Sequence, residues 1–455
     1  MKSGVIRIRG ELWDRVRKQA LSSTRIESVA FLTATFFEAG DKVVFLAHDL
    51  VPAFDRDYLH RSDVHLEVSP LYVSRALNQA EEIGDAVIMG HSHPFDTGVP
   101  AYSMSDNYGE ARTSETIARC LVGNPPVGSL LFGQRHVNAR VWTGKSRRPI
   151  PCDVMVLADK GLAFHHKTTA RSASEWTRVD RQVRALGTSG QDQLETLTVG
   201  IVGLGGTGSN VAEQLVRMGV KNFALVDLDT FHVSNWSRLY GSTWKDTDRN
   251  KTKVNIVRSH IKRINPAVTC EAISLSVLNR KVLAKLSGCD VVFSCLDRHA
   301  PRAVLNELSY QCFVPVIDVG IGISRLSGKP LAGTIRATVI GPDLPCLFCL
   351  DIVRPDHISA EHLAPNVYAE RRAEGYVPEL GQQVPSVIAY TTAASSLGVM
   401  LLIDMISGDQ ARPTSTVLLD IATKKTMRLA ATARADCVCK KRLGKGWRLP
   451  FSVAD

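Results

Sequence analysis

Hydrophobic positions along the chain recur with two periods, and the places where the period changes outline its elements. Helical spacing predicts a helix at Glu11–Leu21 and an amphipathic helix at Leu71–Ile83, while Ser28–Phe37 and Lys42–Leu46 read as the strands of a hairpin. A short apolar strand, Ala86–Met89, delivers the chain to Gly90-His91-Ser92-His93-Pro94. Ser103-Met104-Ser105-Asp106 opens a further helix, and Gly128–Phe132 and His136–Trp142 read as strands. Val154–Phe164 reads as paired strands, and Ser174–Gln191, with Arg178, Arg181, Gln182 and Arg184, as a solvated basic helix.

From Thr198 onward, strands and helices alternate. The apolar strand Thr198–Val202 runs into Gly203-Leu204-Gly205-Gly206-Thr207-Gly208, a helix follows with Val211, Leu215 and Met218 on one face, and the strand Phe223–Val226 ends at Asp227. The helix Lys251–Ile264 stops at Asn265-Pro266; the strand Val268–Ile273, the helix Leu278–Leu286, the strand Asp290–Cys295, a helix starting at Ala300-Pro301 and the strand Pro315–Gly320 continue the series. Alternation at this spacing predicts an α/β fold with a parallel, doubly wound sheet. Asp227 and Asp297 then fall at strand C-terminal ends, where such sheets bind ligands.

A chain of 455 residues has room for more than one domain. The pattern divides it into residues 1–144, a connecting segment 145–172 with a basic, proline-bearing start at Lys145–Pro151, and residues 173–455. The net charge of +10 is concentrated between Lys145 and Arg184 and in Lys440, Lys441, Arg442, Lys445 and Arg448. Acidic protein partners account for it as well as nucleic acid does, and no basic motif interleaved with aromatics favours the latter. Ten cysteines in so long a chain do not make a secreted disulfide framework. MKSGVIRIRGELW has no apolar signal core, and the apolar stretch Ser395–Ile406 is too short to span a bilayer and is interrupted by Asp404. These features predict a soluble protein of a reducing, cytoplasmic compartment with no membrane partner.

His91 and His93 stand two apart, so at a strand end both rings point to one side. With Asp106 as a third ligand they would leave an open position on Zn2+, as catalytic sites do, and Glu27 is a candidate proton acceptor for the activated water. Taken singly, His-x-His is an ordinary surface or core pair and Ser-x-x-Asp a helix cap. Taken in order, an upstream Glu27, His91-Ser92-His93-Pro94 and Ser103-Met104-Ser105-Asp106 resemble the JAMM (MPN) metalloproteases over about the first 140 residues. The resemblance implies Glu27 as general base, His91, His93 and Asp106 as zinc ligands, Ser103 as oxyanion stabiliser, and isopeptide or peptide bonds after ubiquitin-like tails as substrates. One departure concerns the loop Phe95–Tyr102: nine residues separate His93 from Ser103, two more than the family's usual spacing. His165-His166 reads as a surface pair, because adjacent strand residues face opposite ways.

The strand, glycine turn (Gly203, Gly205, Gly206, Gly208), helix and strand ending at Asp227 make a unit that binds a phosphate at a helix N-terminus and a ribose on the carboxylate. It would serve a dinucleotide or ATP equally. Hydride transfer has no use for Arg238, Lys253 or Asp297, whereas adenylate transfer between two anions needs cations on the phosphates and a carboxylate for Mg2+. Arg178–Val183, the glycine turn, Asp227-Leu228-Asp229, Ser234-Asn235-Trp236-Ser237-Arg238, Lys251-Thr252-Lys253 and Cys295-Leu296-Asp297 closely resemble the ThiF/MoeB/HesA group of the ubiquitin-activating superfamily over about residues 174–440. The resemblance implies an ATP site that includes Asp229 and Asn235, with Asp227 on the ribose, Arg238 and Lys253 on the phosphates and Asp297 on Mg2+. It further implies a homodimer in which Arg181 reaches the partner's ATP.

Cys346-Leu347-Phe348-Cys349 and Cys437-Val438-Cys439 read as a closed four-thiolate zinc site, which the family also carries, or else as reduced core cysteines; Cys270, Cys289, Cys295 and Cys312 read as small buried apolar residues. In the family, the irregular stretch Asp351–Pro385 becomes a crossover loop that often carries a thioester-forming cysteine, yet no cysteine lies between Cys349 and Cys437. The acyl-adenylate would then pass directly to a partner, use another cysteine after rearrangement, or form an oxyester on Ser386. Together the resemblances imply a bifunctional enzyme of a bacterial ubiquitin-like conjugation pathway, with an antiphage setting and a downstream conjugating enzyme as further implications. The alternative is an activator of a sulfur-carrier protein or peptide whose first domain only recognises its target.

Overall fold

The computed structural model describes residues 3–63, 65–144, 148–158, 161–165, 173–247, 250–324, 331–380, 385–407, 416–429 and 431–452, with 161, 163–165 and 173–176 as backbone only. The chain forms two compact units: residues 1–158, 162–168 and 444–449 in the first, and 159–161, 169–443 and 450–455 in the second.

The first unit runs β1 (Ser3–Arg9), α1 (Gly10–Ala20), β2 (Phe31–Ala39), β3 (Lys42–Val51), β4 (Tyr58–Arg61), β5 (Leu66–Val68), α2 (Pro70–Ile83), β6 (Ala86–Ser92), α3 (Met104–Cys120), β7 (Val127–Phe132), β8 (Val137–Trp142), β9 (Ile150–Ala158) and β10 (Gly161–His165). The main sheet has the order β1-β3-β2-β6-β7-β8-β9-β10, and a further parallel pairing of β1 with β9 closes it on itself. Residues 150–158, expected inside the connecting segment, are thus integral to this sheet. Their apolar residues Val154 and Val156 join the core around α1, which outweighs the basic, proline-bearing start of the segment. Lys145–Arg147 and His166 lie outside the described residues, as does the side chain of His165.

Strand alternation sorts β6 between two cores. Ile88 packs with Leu12, Trp13, Val16 and Phe132 on the α1 face, whereas Val87 and Met89 pack with Tyr72 of α2 and Ile117 of α3 on the other. His91 continues the odd-numbered series on the α3 side. The helix α2 begins where Ser69 Oγ accepts the Tyr72 N–H and Pro70 occupies the first turn. Its residues Tyr72, Ala76 and Ala80, four apart, form the buried stripe.

The second unit runs α4 (Ala173–Thr196), β11 (Thr198–Val202), α5 (Gly206–Arg217), β12 (Asn222–Val226), α6 (Lys253–Ile264), β13 (Thr269–Ile273), α7 (Arg280–Leu286), β14 (Val291–Ser294), α8 (His299–Cys312), β15 (Val316–Ser324), β16 (Ala332–Ile340), α9 (Pro355–Glu361), α10 (Pro365–Ala373), α11 (Ile388–Ser407), β17 (Thr416–Asp420), β18 (Thr426–Leu429) and α12 (Val438–Lys441). The sheet order is β13-β12-β11-β14-β15-β16-β17-β18, parallel from β13 to β15 and antiparallel beyond. The expected doubly wound arrangement is present, and the strand order reverses between β11 and β14, which creates a crevice at their C-terminal ends.

The apolar stretch expected at Ser395–Ile406 is longer than its sequence pattern indicated. The helix α11 has 20 residues and is long and apolar enough, by length and composition, to cross a membrane. In this fold Ala394, Ser395, Gly398 and Leu402 are buried, Gly398 lies against Val319 and Phe293, and Ser395 Oγ donates to the Thr207 carbonyl. The basic helix α4 likewise extends beyond its expected end and breaks at Gly187 (φ 70°). Arg181 and Arg184 are exposed on it, the latter 2.9 Å from Asp180.

The glycine turn is sterically forced at some positions and open at others. Gly203 has φ +87°, and a Cβ at Gly208 would lie 1.9 Å from the Gly203 carbonyl oxygen, whereas one at Gly205 would meet nothing within 4 Å. Gly208→Ala should therefore destabilise the protein by about 1–3 kcal/mol, while Gly205→Ala should melt close to the native temperature. Equal melting temperatures for the two variants in thermal denaturation would contradict this account of the turn.

Candidate functional site

In the first unit, β6 brings His91 and His93 to the N-terminus of α3. Asp106 sits at the third position of that helix, where its Oδ2 accepts the Ser103 N–H at 2.7 Å and Ser103 Oγ accepts the Asp106 N–H at 3.1 Å. The capping reading of Ser-x-x-Asp is thus realised, and the cap aims the same carboxylate at both imidazoles. His91 Nε2 is 3.3 Å from Asp106 Oδ1, and His93 Nε2 is 3.3 Å from Asp106 Oδ2. Glu27 is buried, with Oε1 at 3.5 Å from His93 Nε2. Burial pushes the Glu27 carboxyl above its ordinary value; at Asp106 burial pushes the same way, but the two imidazoles beside it outweigh that and hold its carboxyl well below. Ser103, whose Oγ is 2.8 Å from Ser105 Oγ, lies beside them at the helix start.

Two further carboxylates escaped the reading of the sequence. Glu110 Oε1 lies 3.5 Å from His91 Nδ1, and Asp96 Oδ2 lies 3.4 Å from His93 Nδ1. Glu110 is buried and also accepts from Arg140 Nε (2.8 Å), Trp142 Nε1 (3.0 Å) and Ser129 Oγ (2.7 Å). A carboxylate on each Nδ1 favours the tautomer whose Nε2 lone pair points inward. Glu110 is one helical turn after Asp106, so the only sequence signal was its i+4 spacing on the same helix face.

This donor set fits a metal ion. The ligand atoms of His91, His93 and Asp106 lie within 4.8 Å of one another. Each imidazole Nε2 stands 3.3 Å from a different oxygen of the Asp106 carboxylate, a spacing near the ligand–ligand edge of about 3.4 Å in a tetrahedron with bonds of ~2.0–2.1 Å. His91 Nε2 is buried without a hydrogen-bond partner among the described residues.

The cysteine pairs converge in the second unit. Cys346 Sγ is 3.6 Å from Cys349 Sγ and 3.5 Å from Cys437 Sγ, close to the edge of about 3.8 Å of a tetrahedron with ~2.3 Å bonds, and Cys439 completes the cluster. Backbone N–H groups of Cys349 and Arg434 point at Cys346 Sγ and Cys349 Sγ, both at 3.3 Å. Cys289 and Cys312 are buried as expected, but Cys270 and Cys295 are only partly so. Cys270 belongs to the outermost strand of its sheet, and Cys295 opens onto the crevice because it follows the end of β14.

That crevice is a cleft of about 1270 Å3 at the C-terminal ends of the strands. Gly203, Gly205 and Gly206 line it, as do Asp227, Asp229, Asn235, Arg238, Lys253, Asp297 and Ser386. Asp227 Oδ2 accepts the Leu204 N–H at 2.6 Å and Oδ1 the Asp229 N–H at 2.8 Å, so one side chain ties β12 to the glycine turn. Burial pushes its carboxyl up against the pull of Lys253. Lys253 Nζ is 2.6 Å from Asp229 Oδ2 and 3.9 Å from Asp227 Oδ1, and Arg238 donates to the Ser234 carbonyl at 2.7 Å. Asn235 Oδ1 accepts the His232 N–H, which shapes the loop before Arg238. Gly208 lies in the first turn of α5, and Arg181 is not among the residues lining the cleft.

The ThiF family model matches residues 179–441. The chain is 32% identical over 181 residues to the molybdopterin-synthase adenylyltransferase of Salmonella typhimurium, which covers 39% of this chain and 69% of that protein. It is 29% identical over 150 residues to the ubiquitin-like modifier-activating enzyme 5 of Oryza sativa, covering 30% and 35% of the two chains. The structure of E. coli MccB with succinimide aligns over 60% of this chain and 75% of its own at 17% identity and a TM-score of 0.48. The chain belongs to the ThiF family. It is an ATP-dependent adenylyltransferase of the ThiF/MoeB type.

Asp227→Ala removes two hydrogen bonds that order the turn and should cost about 1–3 kcal/mol and weaken ATP binding at least about tenfold. Asp227→Asn keeps one acceptor and should melt closer to the native temperature. Unchanged melting and ATP affinity in Asp227→Ala, by calorimetry, would show that the carboxylate does not organise the cleft.

Proposed function

We propose that the protein acts on the C-terminal tail of a ubiquitin-like, β-grasp protein in two ways: adenylation in the ThiF-type unit, and zinc-dependent cleavage of peptide or isopeptide bonds after that tail in the first unit. The observation that carries the first half is the cleft in which Asp227, Arg238, Lys253 and Asp297 converge beside the glycine turn. The similarity to a ubiquitin-like modifier-activating enzyme supports the choice of substrate. In this reaction the terminal carboxylate oxygen forms a bond to the α-phosphorus of ATP and the Pα–O–Pβ bond breaks, yielding acyl-adenylate and pyrophosphate. Arg238 and Lys253 neutralise the phosphates, Asp227 receives the ribose, Asp297 would hold Mg2+, and Arg181 serves the site of a partner copy in a homodimer. With no cysteine between Cys349 and Cys437, the acyl group passes directly to a partner's thiol or amine. Ser386, which lines the cleft, is the residue to examine for an oxyester.

The second half is supported by the convergence of His91, His93, Asp106 and Glu27 and by the JAMM-like order of these residues. His91, His93 and Asp106 would hold Zn2+, which when bound supplies Lewis acidity at the open side of the site. Glu27 takes a proton from the attacking water and delivers it to the leaving amine. Ser103 donates to the developing oxyanion. Cys346, Cys349, Cys437 and Cys439 would hold a second, structural Zn2+.

Metal analysis of the full chain should find about two zinc ions, falling to about one in His91→Ala, with Glu110→Gln weakening that site about tenfold or more. An unchanged zinc content in His91→Ala would remove the protease reading. ATP–pyrophosphate exchange, with small β-grasp proteins encoded near this gene offered singly, should depend on one of them. It should fall at least about a hundredfold in Asp297→Ala. ATP binding without exchange for any candidate would point to a different carboxylate.

A further inference from the structure

Beyond the glycine turn the cleft continues along β15 and β16, where Arg302 and Arg336 both line it. Arg302 comes from α8 and Arg336 from β16, and one wholly buried carboxylate, Asp318 of β15, holds the two. Arg302 Nε is 3.3 Å from Asp318 Oδ2, Arg336 bonds Oδ1, and Ser294 Oγ donates to Oδ2 at 2.7 Å. The two guanidinium tips converge over Gly320, where an added Cβ would lie 2.8 Å from one Nη2 and 3.2 Å from the other.

Three features separate this cluster from a closed structural ion triad. Two guanidiniums face one carboxylate, which leaves a positive charge uncompensated within the cluster, and desolvated cations need an anionic partner. Arg302 Nε is buried without a hydrogen bond among the described residues. Gly320, with no side chain, leaves the tips open to the cleft. The other charged groups lining the cleft are Lys253, Arg238 and Arg298 against Asp227, Asp229, Asp297 and Glu361; Asp229 is already paired with Lys253 at 2.6 Å, and Glu361 accepts from the His299 and Ala300 N–H groups at 2.8 Å.

The phosphates are assigned above to Arg238 and Lys253, which follow β12 in the chain, so the occupant of this far end is sought in the acylating substrate. The sheet order runs β12, β11, β14, β15, β16, so Arg336 stands on the third strand from the glycine turn, roughly 14 Å away at ~4.8 Å per strand. The ribose end at Asp227 lies on the opposite side of that turn. A tail that reaches Asp297 by way of this far end has, at ~3.3 Å per extended residue, about two to four residues alongside the arginine pair.

We propose that Arg302 and Arg336, clamped by Asp318, receive an Asp or Glu side chain carried by the substrate's tail about two to four residues before its terminal carboxylate. The pair is thus a specificity element of the adenylation site, and it rests on the adenylation reading above. Its ligand is an acidic tail rather than one of neutral residues alone.

Stable mimics of the acyl-adenylate test this without the natural partner. The probes are peptidyl sulfamoyl-adenosines of five residues, otherwise glycine, with Glu, Gln or Lys placed in turn at each of the second to fourth positions from the acyl end. Calorimetric titration into the full chain should show Glu binding at least about tenfold tighter than Gln in one register, with Lys weaker still. Arg336→Met should erase the preference and Arg336→Lys should retain part of it; ATP titration of each variant reports whether its cleft is intact. Equal binding of Glu, Gln and Lys in every register, with the all-glycine probe bound, would overturn the inference and leave adenylation standing. A Glu preference that survives in an ATP-binding Arg336→Met protein would overturn it too. Failure of both ATP and the all-glycine probe to bind would remove the adenylation reading and this inference with it.

Discussion

Between Gly203 and Gly208 the backbone approaches itself so closely that a single methyl group would collide with a carbonyl oxygen. That approach lets β11 end and α5 begin within a few residues, so the first N–H groups of the helix open into the crevice. Asp227, from the next strand, locks the turn through the Leu204 N–H and presents the rest of its carboxylate to the cleft. The remaining features of the site follow from this: Lys253 is held by Asp229 two residues later, and α11 closes over the turn through Ser395.

Buried carboxylates organise both units. Asp106 is at once the cap of α3 and the group facing two imidazoles, and Glu110, one turn on, collects an arginine, a tryptophan and a serine while facing His91. Asp318 gathers two arginines at the cleft wall. There burial alone would push its carboxyl up, and the guanidiniums outweigh that and hold it down. In each case a negative charge withdrawn from water holds partner side chains in one orientation, which is what a site needs before its ligand arrives.

The residues that carry chemistry differ in how visible they were. The glycine turn, the histidine pair and Cys346-Leu347-Phe348-Cys349 declare themselves because their partners lie within a few residues, where strand, turn and helix geometry is locally dictated. Ser103 and Asp106 were legible as a cap for the same reason. Glu110 and Asp96 were not, because a carboxylate near a histidine means nothing until strand and helix are packed together. Residues 150–158 lay behind a basic, proline-bearing start, and only their pairing with β1 makes them part of a closed sheet.

The sequence by itself determined the α/β alternation, the glycine turn with Asp227 at the end of the next strand, and which residues could hold zinc or neutralise phosphates. These follow from short-range periodicity and from the few residue types able to do such work. Only the tertiary structure decided that Cys437 and Cys439 reach Cys346 and Cys349, that Glu110 stands behind His91, and that Arg302, Asp318 and Arg336 meet at one wall of the cleft. Those meetings join residues from different elements, some far apart in the chain, and depend on sheet order and helix packing, which local sequence does not encode.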